Sequence, residues 1–184
     1  VGPYFEETPL KESLAATLQQ LQLDGDVNAR LHLDIPLDGE MTTAKGDVRL
    51  KNNSLYIKPL ESTLKNLSGQ FSFENGNLKS EPLTASWFNQ LVNIDFTTTE
   101  GEKAYQVAVN LDGNWQPARM DVLPKPIEAS VEGAVAWQGK VAIDLPYHAG
   151  AQYKVDITGD LKNLRSQLPA PLDKQAGQPL PVKL

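Results

Sequence analysis

The chain has no cysteine, only two histidines, and no apolar run near the ~20 residues that a membrane-spanning helix needs. The missing cysteines exclude a disulfide framework and any thiolate metal or catalytic site, and they suit cytosol and periplasm equally. His32 sits on the polar parity of an alternating segment and His148 at a turn, and neither has a second ligand at metal spacing. Gly-x-Ser-x-Gly, phosphate-loop and dinucleotide patterns are missing too, so no cofactor is implied. Basic charge is scarce: 17 Lys and Arg, scattered without a stripe, against 23 Asp and Glu leave a net charge of −6. That speaks against nucleic acid as a partner. No secretory leader pattern is visible. The chain opens on "VGPYF" and closes on "QPLPVKL", which reads like an interrupted strand, so we expect a piece of a longer protein.

What the sequence does have is alternation. From Val27 the apolar residues Val27, Ala29, Leu31, Leu33 and Ile35 alternate with Asn28, Arg30, His32 and Asp34. This is the period of a strand with one apolar face. Val48 and Leu50 follow the same rule, then Asn52-Asn53 reads as a turn before Leu55 and Ile57. Phe71 and Phe73 lead into Asn75-Gly76, a two-residue hairpin signal, and Leu78, Leu83 and Ala85 lie on the return arm. Further strands carry Val92, Ile94, Phe96 and Thr98, then Tyr105, Val107, Val109 and Leu111. Beyond residue 126 come Ile127, Ala129, Val131, Val135 and Trp137, then Val141, Ile143 and Leu145, then Tyr153, Val155 and Ile157. A proline-rich tail ends in a short strand.

Two stretches depart from this period. Residues 9–22 read as an amphipathic helix, with Thr8 as N-cap, Pro9 in the first turn and a stripe of Leu10, Leu14, Leu18 and Leu21. Residues 114–126 hold three prolines and read as a connector with a short helix near 118–123. The expected class is mainly β.

An echo runs through the chain. "GDVNARLHLDIPL" (25–37) resembles "GAVAWQGKVAIDLPY" (133–147), an offset of 108 residues between Gly25 and Gly133. This suggests one continuous segment, residues 1–184, holding a first module at 1–113, the connector at 114–126, and the start of a second module at 127–184.

Candidate chemistry is thin. Asp34, Asp95, Asp144 and Asp156 lie between apolar neighbours, as a glycan-cleaving carboxylate pair would. Each falls on the polar parity of its strand, so solvation explains them better. Trp87, Trp115 and Trp137 could stack on a sugar, but they come from separate segments, and Trp137 continues an apolar parity.

The stronger signal is apolar surface without a cover. About twenty Val, Leu, Ile and Phe side chains share one parity, and each forfeits roughly 1.5–3 kcal/mol if left in water. One 14-residue helix covers only a few. Either two sheets close on each other as a sandwich, or one sheet curves into a trough that holds an apolar ligand. Periodicity alone leaves both open.

The stretch "GDVRLKNNSLYIKPLESTLKNLSGQFSFENGNLKSEPLTASWFNQLVNIDF" resembles the strand repeat of AsmA-like proteins. The shared pattern is Gly-x-Val, a hairpin, an apolar turn, then Leu-x-Gly-x-Phe-x-Phe (67–73). The tail, Leu-x-x-Leu-x-Ser-x-Leu-Pro-x-Pro-Leu at 161–172, is similar to the YhdP branch of that family. The resemblance implies long antiparallel strands in a highly curved, elongated open sheet, a repeating β-groove. It also implies a periplasmic location within an inner-membrane-anchored protein of the Gram-negative envelope. The implied function is bridge-like lipid transfer, in which the groove shields phospholipid acyl chains between inner and outer membranes. No catalytic or metal-binding residue and no cofactor is expected.

On that reading the groove is lined by Val27, Leu31, Ile35, Val48 and Leu50, by Phe71, Phe73, Ile94, Phe96 and Val107, and by Val109, Val141, Ile143, Val155 and Ile157. The partners are acyl chains and neighbouring modules of the same chain, and an isolated piece is expected to dimerise through its sheet edges. The competing reading is a β-sandwich spacer without a ligand. An envelope enzyme acting on glycan through Asp95 or Asp144 ranks below both.

Overall fold

The computed structural model describes residues 21–36, 43–120 and 124–183. Residues 9–20 of the expected helix lie outside the described residues. Its last two positions, Leu21 and Gln22, form strand instead, in β1 (Leu21–Asp24). Leu21 and Leu23 lie opposite Ile57 and Leu55. A ladder partner thus overrides the local leucine spacing at this end.

Twelve more strands follow: β2 (Val27–Asp34), β3 (Thr43–Ile57), β4 (Ser62–Glu74), β5 (Asn77–Ser80), β6 (Leu83–Trp87), β7 (Gln90–Glu100), β8 (Ala104–Trp115), β9 (Val131–Glu132), β10 (Val135–Pro146), β11 (Gln152–Asp160), β12 (Arg165–Ser166) and β13 (Pro181–Lys183). Eleven of the thirteen make one antiparallel sheet, and β9 and β12 form a separate two-stranded ribbon. In the sheet, β1 and β2 lie end to end along β3, and β5 and β6 lie end to end between β4 and β7. Beyond β7 come β8, β10, β11 and β13. Among the described residues there is no second sheet of a size to close a sandwich over this one.

The parity of the apolar residues explains the irregularities. Val48 and Leu50 are even-numbered, whereas Leu55 and Ile57 are odd, so one extra residue must be absorbed between them. The Asn52-Asn53 pair does this as a bulge inside the continuous β3, where the register shifts and Asn52 takes φ 55°. The turn expected there is therefore a bulge. The same kink crosses neighbouring strands. Gly25, at φ 107°, separates β1 from β2; β4 shifts register between Lys65 and Ser68; and Glu81-Pro82 separates β5 from β6.

The β4–β5 and β6–β7 hairpin turns both use left-handed residues. Asn75-Gly76 turns β4 into β5 with φ 47° and 89°, as its sequence predicts. Phe88-Asn89 turns β6 into β7 with φ 50° and 59° and carries no glycine to announce it. A phenylalanine seldom adopts positive φ. Here its ring stacks on Trp87 at 5.0 Å.

The connector differs in detail from its expected form. After β8 a 3-10 turn spans Pro117–Arg119, residues 121–123 lie outside the described residues, and a one-turn helix, α1, spans Lys125–Glu128. Ile127 and Ala129, expected in a strand, lie in α1 and at its C-cap. Pro124 and Pro126 account for this: proline suits a first helical turn and cannot donate to a ladder.

The echo has a local counterpart. Gly25 (φ 107°) joins a short strand to a long one, β1 to β2, and Gly133 (φ 104°) does the same between β9 and β10. Neither has room for a side chain. A Cβ on Gly25 would lie 2.8 Å from Asn53 Nδ2, and one on Gly133 would overlap the Asn163 carbonyl oxygen.

Candidate functional site

Residues directly opposite one another in a ladder point to the same face. Following the register strand by strand therefore assigns every side chain to a face. One row, perpendicular to the strands, runs Ala29, Val48, Phe71, Ser80, Phe96, Val109, Val141, Val155. It crosses eight strands, roughly 30–35 Å at about 4.8 Å per strand. A second row on the same face runs Leu31, Gly46, Phe73, Leu78, Thr98, Val107, Ile143, Tyr153. A third runs Val27, Leu50, Gly69, Leu83, Ile94, Leu111, Gly139, Ile157.

These rows hold fourteen of the fifteen side chains singled out in the sequence. Ile35 lies just past the end of β2 and is exposed. The lining expected from the sequence leaves out Leu78, Leu83, Leu111 and Tyr153, although each lies on the apolar parity of its strand and falls in the same rows.

Within these rows the only polar aliphatic side chains are Ser80 and Thr98, and both hydroxyls are engaged within the protein. Ser80 Oγ accepts the Phe96 N–H at 2.7 Å, and Thr98 Oγ1 accepts the Leu78 N–H at 2.7 Å. Three glycines sit in the rows, and space above Gly46 is taken by the Phe73 ring, 2.8 Å from where a Cβ would stand.

Burial varies across this face. Towards one end of the strands, Leu50, Leu64, Leu67, Leu83, Ala85, Val92 and Ile94 form a buried cluster. Towards the other, Tyr105 and Leu145 are buried, with Val107, Ile143 and Tyr147 packed against them. The first row lies between the two clusters, with Phe71, Phe96, Val109 and Val141 half-buried. Leu50 and Ile94 are base rather than surface, at 6% and 7% exposed. At the sheet margins the same face opens: Val27, Leu31, Val155 and Ile157 are exposed.

Side chains on strands two apart meet over this face. The Phe71 and Phe96 rings lie 5.6 Å apart although β5 runs between their strands, and Trp87 and Trp115 lie 5.9 Å apart across β7. Neighbouring strands alone account for about 4.8 Å, so the spacing of β4 from β7 in a flat sheet is about twice that. The rings of each pair therefore lean towards each other over the strand that separates them.

The three tryptophans, separate in sequence, are neighbours in space. Trp115 meets Trp137 edge to face at 4.6 Å, and Phe88 and Trp87 complete the group. Trp87 Nε1 donates to Ser62 Oγ and Trp115 Nε1 to the Leu91 carbonyl. They pack at one end of the buried cluster rather than forming an open stacking platform.

The other face is polar. Asn110 donates to Asp95, Gln106 to Asp144 and Asn93 to Asp112, each at 2.8 Å across neighbouring strands. Asp156 sits 3.6 Å from Lys154 and Asp34 is exposed. Two open clefts lie on this side, about 660 and 1020 Å³; the larger is lined by both signs of charge, including Arg30, Lys45, Asp47 and Glu74. Among the described residues no group of His, Asp and Glu is arranged to hold a metal ion, and no helix is long and apolar enough to cross a membrane.

A family model described as "YhdP protein" matches residues 1–184. A curated relative, "Intermembrane phospholipid transporter YhdP" of Escherichia coli (strain K12), is 71% identical over 184 residues. The match takes in 100% of this chain and 14% of the relative, so the chain spans about one seventh of that protein's length. No solved structure matches.

Proposed function

The chain belongs to the YhdP family, and on that premise we propose that it is one stretch of a bridge along which phospholipids pass between membranes. In this reading the apolar rows shield acyl chains while headgroups stay in water. Its location is the periplasm of a Gram-negative envelope, within a longer protein anchored in the inner membrane. The observation that carries the reading is the first row: an apolar strip across eight strands whose one hydroxyl, Ser80, is already bonded to backbone. Acyl chains need only such a surface, since burying each CH2 group gains about 0.8 kcal/mol without any directional contact.

The sheet margins fit a longer assembly. Among the described residues no strand pairs with the outer edge of β2, or with β11 before Thr158. Neighbouring modules of the full protein would continue the sheet there, and in an isolated piece those edges would pair with another copy. The echo between Gly25 and Gly133 supports a module boundary near the connector.

The test uses the full-length protein in its membranes, with a photoreactive residue at Val109 or, one position on and facing the other way, at Asn110. Phospholipid attached at 109 and not at 110 is the expected result. Labelling at neither would refute the groove, and equal labelling at both would refute the assignment of faces.

A further inference from the structure

The first row crosses one weak junction. Between β5 and β7 the backbone ladder consists of a single pair, Lys79 and Thr97. The junctions β7–β8, β8–β10 and β10–β11 have ladders of eight, twelve and nine pairs. Side chains take the place of the missing ladder. Ser80 Oγ receives the Phe96 N–H, Thr98 Oγ1 the Leu78 N–H and Asn77 Oδ1 the Glu100 N–H, all at 2.7 Å. The Ser80 and Asn77 bonds can part by a side-chain rotation, while Thr98 is buried and also bonded to the Tyr105 hydroxyl, so the seam yields first at Ser80.

Phe71 and Phe96 stand on either side of this seam and touch above Ser80, the small residue between them. They are the largest side chains of a row otherwise made of alanine, valine and serine. Both are half-buried, so a ligand on the strip reaches them. Anything moving along the row from Val48 to Val109 must pass between or over these two rings.

We propose that Phe71 and Phe96 form a gate across the apolar strip, which an acyl chain parts as it crosses from β4 to β7. The seam beneath is the part that yields. A rotamer change of the two rings suffices to open the passage, so the gate needs no unfolding of the sheet. This rests on the lipid-groove reading and adds to it a point of control.

The experiment places a photoreactive residue at Val48 or at Val141, both in the first row and on opposite sides of the gate, in the full-length protein. Radiolabelled phospholipid is the probe, and the readout is the ratio of labelling at the two positions. Phe96→Trp narrows the passage and is expected to shift that ratio by about tenfold, the scale of a one-methylene misfit in an apolar site. Phe71→Leu widens it and is expected to bring the ratio towards unity, and it carries the test alone if the tryptophan variant does not accumulate. An unchanged ratio in the accumulating variants would overturn the gate while leaving the groove intact. No labelling at either position in the unsubstituted protein would overturn the groove itself and the gate with it.

Discussion

Asn53 lies directly beneath Gly25, and its side-chain amide donates to the carbonyls of the two residues beside the glycine, Asp24 at 3.3 Å and Asp26 at 3.1 Å. Its Oδ1 accepts the Lys51 N–H at 2.8 Å, and the side chain is fully buried. One residue thus joins the bulge of β3 to the break between β1 and β2. The pair fixes where the edge of the sheet changes parity.

Asn53→Ala is expected to destabilise the protein by about 1–3 kcal/mol, since it strands an N–H and two carbonyls that it now satisfies. Gly25→Ala is expected to cost stability twice over, through its φ of 107° and through the 2.8 Å approach of a Cβ to Asn53 Nδ2. The steric share vanishes when Asn53 is already alanine. Chemical denaturation of the two single variants and the double variant should therefore show a double-mutant loss smaller than the sum. Strict additivity would mean that the two residues do not depend on each other.

How far the sequence announces this geometry depends on the residue. Alternation in 92–98, 105–111 and 141–145 gives strand, face and neighbours almost completely, because a half-buried sheet imposes period two on composition. Asn52-Asn53 carries the correct hint of irregularity but not its kind. A bulge and a turn use the same residue types, and only the pairing of β3 with both β1 and β4 decides between them. Phe88-Asn89 gives only a faint hint: asparagine tolerates the left-handed region, but phenylalanine seldom does and no glycine marks the turn. Leu21 misleads for the opposite reason: a helical leucine spacing is outweighed there by a ladder with β3.

Tyr105 is expected to make the stability of the protein sensitive to alkali. Its hydroxyl donates to the Gly76 carbonyl at 2.6 Å and lies 2.6 Å from Thr98 Oγ1, so β8 is tied across β7 to the β4–β5 turn. Burial pushes its pKa above the ordinary 10.0, the Thr98 hydrogen bond opposes this, and the carboxylate of Glu100 adds to the rise. A raised pKa means that the folded state holds its proton longer than the unfolded chain. The contribution is complete below pH 10 and is lost as pH rises through the folded value. Urea denaturation from pH 8 to pH 11.5 should show wild type losing stability more steeply than Tyr105→Phe above pH 10. At pH 8 the variant should be weaker by about 1 kcal/mol, the net worth of a hydrogen bond. Parallel curves for the two proteins would remove Tyr105 as the source of the alkaline sensitivity.

The candidate site was legible as a face and not as a surface. Parity places Val141 and Val109 on one face with Leu50 and Ile94, yet the first two are half-buried while the last two are buried within the cluster. The difference comes from packing between strands remote in sequence, which periodicity does not encode. It decides which positions a ligand reaches. Val141 and Ala142 are adjacent on β10 and point to opposite faces, with Val141 in the first row and Ala142 exposed among polar residues. Val141→Asp in the full-length protein is expected to abolish phospholipid passage between membranes, because a carboxylate in the strip forces an acyl chain to desolvate a charge. Ala142→Asp puts the same charge on the same strand and is expected to leave passage unchanged. The measurement is transfer of radiolabelled phospholipid from inner to outer membrane, with protein levels matched by immunoblot. Equal loss in both variants would point to damage to the strand rather than to the strip, and normal transfer in Val141→Asp would sink the assignment of that face to lipid.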